Sequence, residues 1–82
     1  MSYFTYILQS TIDYSFYIGY TQNLEKRLNE HNAGKSKYTS RKTPWKLVYF
    51  ETFDLKRDAI IREKQLKKYR NTKYLEKIIN HK

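Results

Sequence analysis

Apolar and polar positions first alternate with a period of two and later repeat every three to four residues, so the chain starts in strands and continues in helices. Residues 3–8 are aromatic and β-branched, which predicts a strand. Alternation puts Phe4, Tyr6 and Leu8 on one face and Tyr3, Thr5 and Ile7 on the other. Residues 9–13 are polar and predict a turn. Residues 14–20 predict a second strand in which Tyr17 and Gly19 share a face. The two strands form a hairpin that brings Tyr6 and Tyr17 near each other across the ladder.

The helical period begins after Thr21 and Asn23, either of which can cap a helix that Gly34 then stops. Leu24 and Leu28 lie four apart and would face the sheet. Arg27 and His31, also four apart, form a second row beside them. Residues 35–44 are polar and basic, hold the only proline and read as a loop. Residues 45–53 predict a third strand, with Trp45, Leu47 and Tyr49 set against Val48 and Phe50. Asp54 can cap a second helix whose apolar stripe runs Leu55, Ala59, Ile60, Leu66 and Tyr69. Asn71 and Thr72 interrupt it, and Tyr74, Leu75, Ile78 and Ile79 predict a short third helix. The expected order is ββαβαα, a small α/β (α+β) fold of three strands with helices packed over them.

Composition narrows the partners. Eighty-two residues predict one domain, residues 1–82, with no room for a second core. Seventeen Lys and Arg against eight Asp and Glu give a net charge of +9. Such a field attracts polyanions, so DNA or RNA leads and an anionic membrane surface follows. Aromatic residues reach 17 %, which favours core packing and nucleotide contacts over a membrane anchor. No cysteine is present, which excludes disulfide staples and thiolate zinc sites. No apolar run approaches the roughly 20 residues that cross a bilayer. With no secretion-type leader in the pattern at Met1, the expected location is the cytoplasm.

Five polar side chains stand out as candidate chemistry. Glu63 falls beside the second helix's buried stripe, where a carboxylate is costly unless paired or bound to metal. Its plainer role is a bridge to Arg62, Lys67 or a sheet residue. Mg²⁺ keeps most of its waters and takes one or two carboxylates, so a single Glu is a sufficient protein ligand. Arg27 can hold a phosphate through its planar fork, with His31 assisting. The plainer alternatives are an exposed basic face for Arg27 and a helix C-terminal, dipole-favoured imidazole for His31. Tyr6 and Tyr17 can position or deprotonate a water, although strand tyrosines are usually packing residues and a phenol near pKa 10 is a poor base. Gly19 allows close approach of a phosphate or another chain. The loop around Lys37, Tyr38 and Arg41 mixes basic, hydroxyl and aromatic groups, as contacts to a nucleic-acid backbone do. Lys64, Lys67, Lys68, Arg70 and Lys73 add a basic run on the late helices, the pattern also of a solvated face. P-loop and GxGxxG glycine patterns are absent.

Phe4-Thr5-Tyr6, Tyr17-Ile18-Gly19, Arg27, His31 and Glu63 occur in an order that resembles the GIY-YIG nuclease domain. Tyr38-Thr39-Ser40-Arg41 and Arg62-Glu63-Lys64-Gln65-Leu66-Lys67 continue the likeness, which spans about residues 3 to 79. It is similar to the small stand-alone branch of that superfamily, whose better-known relatives include the amino-terminal nuclease domain of the UvrC-like excinucleases. The resemblance implies a three-stranded antiparallel sheet flanked by helices and one-metal hydrolysis of DNA, with a link to repair or recombination. It implies that Tyr6 and Tyr17 orient or activate the water and that Arg27, with His31, stabilises charge on the phosphoryl group. Glu63 would hold one Mg²⁺ or Mn²⁺. Two departures are visible. The first motif reads Phe-Thr-Tyr in place of Gly-Ile-Tyr, and Tyr20 follows Gly19 where the excinuclease domains carry a lysine. With no appended DNA-binding domain in view, target choice would fall to a protein partner, or the scaffold would bind nucleic acid without cutting it.

Overall fold

The structure is a computed structural model and describes residues 1–70 and 73–80. Three strands, β1 (Tyr3–Ser10), β2 (Phe16–Thr21) and β3 (Trp45–Phe53), form one antiparallel sheet in the order β2-β1-β3. Helix α1 (Leu24–Asn32) follows the hairpin, and α2 (Lys56–Lys67) and α3 (Lys73–Asn80) follow β3. The expected ββαβαα order is therefore the observed one. Residues 71 and 72, which the periodicity reads as an interruption, lie outside the described residues.

Because β1 is central, it is covered on both sides, and Thr5, Tyr6, Ile7 and Leu8 are all buried. Strand alternation sorts them into two layers. Ile7 joins Ile18 on β2, Leu66 on α2 and Leu75 on α3. Tyr6 and Leu8 join Trp45, with Tyr17, Leu24, Leu28 and Leu47 packed around them. The leucine pair of α1 thus faces the sheet as its spacing requires. On the other side the Thr5 hydroxyl donates to the Ala59 carbonyl of α2 at 2.8 Å. The Arg62 guanidinium grips Glu51 of β3 through Nε at 3.0 Å and a second nitrogen at 3.0 Å. That fork fixes how α2 sits on the sheet, and with it Glu63, the next residue.

Several expectations shift. Strand β1 runs on to Ser10 and β2 starts at Phe16, because Tyr14 turns the chain with φ 61°. Asn23, not Thr21, caps α1 by accepting from the Lys26 amide at 3.0 Å, while the Thr21 hydroxyl accepts from the Asn23 amide. After α1, Gly34 supplies the positive φ of 77° that turns the chain away. Asp54 does not cap α2; Leu55 holds that position without a side-chain bond. Only Ala59 and Leu66 of the expected α2 stripe are buried, whereas Leu55 and Tyr69 are exposed. The loop at residues 35–44 contains a short 3-10 turn, Ser40–Lys42.

Tyr49 lies on the opposite face from Trp45 and Leu47, not with them. The cause is a register shift: Ile7 pairs with Tyr49 and Leu8 with Leu47, so Val48 is an extra residue in β3. Val48 and Tyr49 both pack on the Ile7 layer in consequence. At the start of β3 the Asn32 amide brackets Trp45, donating to its carbonyl at 3.0 Å and accepting from its amide. This side chain stitches the end of α1 to the sheet.

Candidate active site

The second layer is where polar groups gather. Tyr6 pairs with Gly19 across the ladder and Leu8 with Tyr17, so the two tyrosines are diagonal neighbours on one face, with ring centres 6.4 Å apart. A side chain at Gly19 would stand 2.6 Å from the Tyr6 oxygen. The close approach that Gly19 allows in this structure is that of the Tyr6 ring. By crossing Gly19, Tyr6 carries its oxygen to the edge strand β2, against which α2 also packs.

Helix α1 delivers the next two groups from one row. The His31 ring centre lies 4.8 Å from that of Tyr17, and its Nε2 lies 3.3 Å from the Tyr6 oxygen. Its Nδ1 lies 2.8 Å from the Thr39 hydroxyl. Arg27 bonds Glu30 at 3.2 Å, and its charge bears on the Tyr6 phenol. The influence of Tyr6 and the bonded Glu30 raise the guanidinium above its ordinary value, so it stays charged.

Burial sets the protonation states. It pushes the Tyr6 phenol up to about 12 against the opposing pull of Arg27, and the charges of Tyr17 and Glu63 add to the rise. Burial, with the Arg27 charge, holds the His31 imidazole below its ordinary value, although Glu30 opposes this. His31 is thus a neutral, buried ring and not a dipole-stabilised imidazolium, because desolvation outweighs the helix C-terminus. Both shifts oppose moving a proton from Tyr6 to His31: burial raises the phenol and lowers the imidazole. Of the two phenols, the half-buried Tyr17 is the more accessible.

Glu63 is only 16 % exposed and pairs with Lys67 one turn on, at 3.4 Å. The pairing is the plainer role read from the sequence, with Lys67 and not Arg62 as the partner. Lys67 is correspondingly engaged within its own helix. The Glu63 charge also adds, as the smallest contribution, to the rise of the Tyr6 phenol. No cluster of three or more metal-ligating His, Cys, Asp or Glu is found among the described residues. Glu63 still fits a hard divalent cation that keeps its waters: it offers carboxylate oxygens, and its counter-charge is the half-exposed Lys67 one helical turn on.

Beside Tyr17, with ring centres 5.9 Å apart, stands Tyr38, 69 % exposed. A depression of about 180 Å³ opens between Tyr38, Trp45, Phe16, Ser15, Lys42 and Arg70. Lys37 and Arg41 are exposed on the same loop. A larger hollow of about 520 Å³ runs along the outer side of α1 and contains none of the predicted site residues. Sequence reasoning passed over Thr39, Glu30 and Trp45 as members of the cluster. The Trp45 indole donates to the Thr39 carbonyl at 2.9 Å, so the tryptophan fixes the loop beneath His31.

An antiparallel sheet presenting paired tyrosines beside an α1 arginine and histidine is the frame of one class of protein. Residues 2–76 match the family model of the GIY-YIG catalytic domain, and the chain belongs to that family. The relatives place it more narrowly, among small proteins named UPF0213. It is 47 % identical over 76 residues to one from Clostridium perfringens, covering 92 % of this chain and 81 % of the relative. To one from Haloquadratum walsbyi it is 45 % identical over 71 residues, covering 85 % and 79 %. The solution NMR structure of a UPF0213 protein from Bacillus halodurans superposes with a TM-score of 0.62 at 32 % identity, covering all of this chain and 86 % of that one. The fold is theirs, and the family is one of nuclease-like domains.

Proposed function

We propose that this protein is a metal-dependent endonuclease that hydrolyses DNA phosphodiester bonds in repair or recombination in the cytoplasm, its 82 residues acting as one GIY-YIG unit. The observation that carries the reading is the gathering of Tyr6, Tyr17 and His31 on one face, with the charges of Arg27 and Glu63 both bearing on the Tyr6 phenol. Arg27 stays charged and meets the phosphoryl oxygens, where charge builds during attack. Tyr17 orients the attacking water from the open side of the cluster. Tyr6 holds His31 in place through its oxygen. Glu63 holds one Mg²⁺ or Mn²⁺, which supplies charge neutralisation at the phosphate and a more acidic water. Tyr38, Lys37 and Arg41 line the strand's path. No helix among the described residues is long and apolar enough to cross a membrane, and the +9 charge suits a polyanion in solution.

The second reading, a non-cutting nucleic-acid-binding module, draws on the Lys67 pairing, which already neutralises Glu63. Nicking of supercoiled plasmid with Mg²⁺ or Mn²⁺ separates the two. Arg27→Ala and Glu63→Ala should each lower the rate by about 10²–10³-fold. If supercoiled, nicked and branched DNA all stay intact with either cation, while binding still weakens with salt, the binding module stands and the nuclease falls.

A further inference from the structure

Thr39 is completely buried in a loop whose neighbours Lys37, Tyr38 and Arg41 are exposed. A threonine in a basic surface loop has no hydrophobic reason to be there, and its bonds supply one. Its carbonyl receives the Trp45 indole at 2.9 Å, and its hydroxyl lies 2.8 Å from His31 Nδ1 and 3.5 Å from the Ser36 carbonyl. On the far side of the imidazole, Nε2 meets the Tyr6 hydroxyl at 3.3 Å.

Counting protons along this chain leaves one assignment. The Tyr6 hydroxyl faces the His31 ring and needs an acceptor for its own proton. His31 Nε2 is the acceptor at hand, so Nε2 is bare and the ring proton sits on Nδ1. Nδ1–H then donates to Thr39, whose own proton goes to the Ser36 carbonyl. The same answer follows from the opposite end, because a carbonyl can only accept.

We propose that Thr39 is a positioning residue for the cluster: its hydroxyl accepts the His31 Nδ1 proton, selects that tautomer and keeps the Nε2 lone pair turned toward Tyr6. Its value to catalysis rests on the nuclease reading above; the tautomer itself does not. A neutral imidazole offering Nε2 keeps the Tyr6 hydroxyl in place. The opposite tautomer would set an Nε2–H against the Tyr6 hydroxyl and take away the acceptor for its proton.

Nitrogen-15 NMR of the His31 ring in the intact protein near neutral pH tests the tautomer directly. The expected spectrum has a protonated, pyrrole-like Nδ1 and a bare, pyridine-like Nε2. In Thr39→Val, close in shape but with no acceptor, the population should move toward Nε2–H, and Thr39→Ser should restore it. Nicking should fall about 10–100-fold in kcat for Thr39→Val, with KM for DNA unchanged and Thr39→Ser close to the parent. A bare Nδ1 in the parent protein overturns the proposal, as does an unmoved tautomer in folded Thr39→Val. Should Thr39→Val fail to fold, the parent and Thr39→Ser spectra still decide. A protein that cuts no DNA but shows the expected tautomer would sink the nuclease reading alone.

Discussion

The two faces of the sheet solve opposite problems. Under α2 and α3, the Ile7, Ile18, Leu66 and Leu75 side chains meet as a dry layer that asks nothing of orientation. Under α1, Tyr6, His31, Thr39 and Trp45 bury nearly as completely, yet each polar atom must find a partner in the right direction. No buried side-chain nitrogen or oxygen among the described residues lacks one. The apolar face can tolerate repacking in proportion to volume lost, whereas the polar face fails once a single link is misdirected. Apolar packing and the buried polar chain are thereby assigned to different sides of one strand.

That division can be broken most forcefully at Leu66. Leu66→Ala removes a completely buried side chain from the dry layer and should cost about 2–5 kcal/mol in chemical denaturation. The ultraviolet titration of Tyr6 should stay in place, because the opposite face is untouched. A smaller and more selective effect is expected at Gly19. Gly19→Ala puts a methyl 2.6 Å from the Tyr6 oxygen and should cost about 1–3 kcal/mol while expelling the phenol from its site. The signature is a Tyr6 titration that falls toward the ordinary phenol value. An unshifted titration would mean that the ring does not depend on the glycine.

The mildest test needs no substitution. Tyr6 binds its proton more tightly when folded, at about 12 against 10.0. The native state therefore holds more protons than the unfolded state between those values, so stability falls as pH rises through them. The contribution is intact below pH 10, and about 1.4 kcal/mol of it should be gone by pH 11. Tyr6→Phe should flatten that part of the stability curve, and an identical slope in both proteins would contradict the assignment.

What the sequence disclosed is what local periodicity and spacing can carry. Tyr6 and Tyr17 fall on one face because strand alternation is rigid, and Leu24, Leu28, Arg27 and His31 follow helical rows. The features that stayed hidden depend on partners far along the chain. The extra residue at Val48 exists only in the pairing of β3 with β1, so alternation within β3 alone assigned Tyr49 to the wrong face. Burial of Thr39 depends on Trp45 and His31 arriving from other elements. Glu63 illustrates the boundary: its spacing showed a carboxylate beside the core, while its pairing with Lys67 instead of Arg62 turned on Arg62 being taken by Glu51.

The Asn32 bracket on Trp45 has a consequence for solubility. Strand β3 is an outer strand, and its unpaired backbone groups are a template on which a strand of another molecule can add. Since a backbone amide donates one bond, an amide spent on Asn32 is closed to such recruitment at Trp45. A side-chain carboxamide there imitates the neighbouring peptide and ends the ladder, sealing the sheet's rim where the aromatic cluster begins.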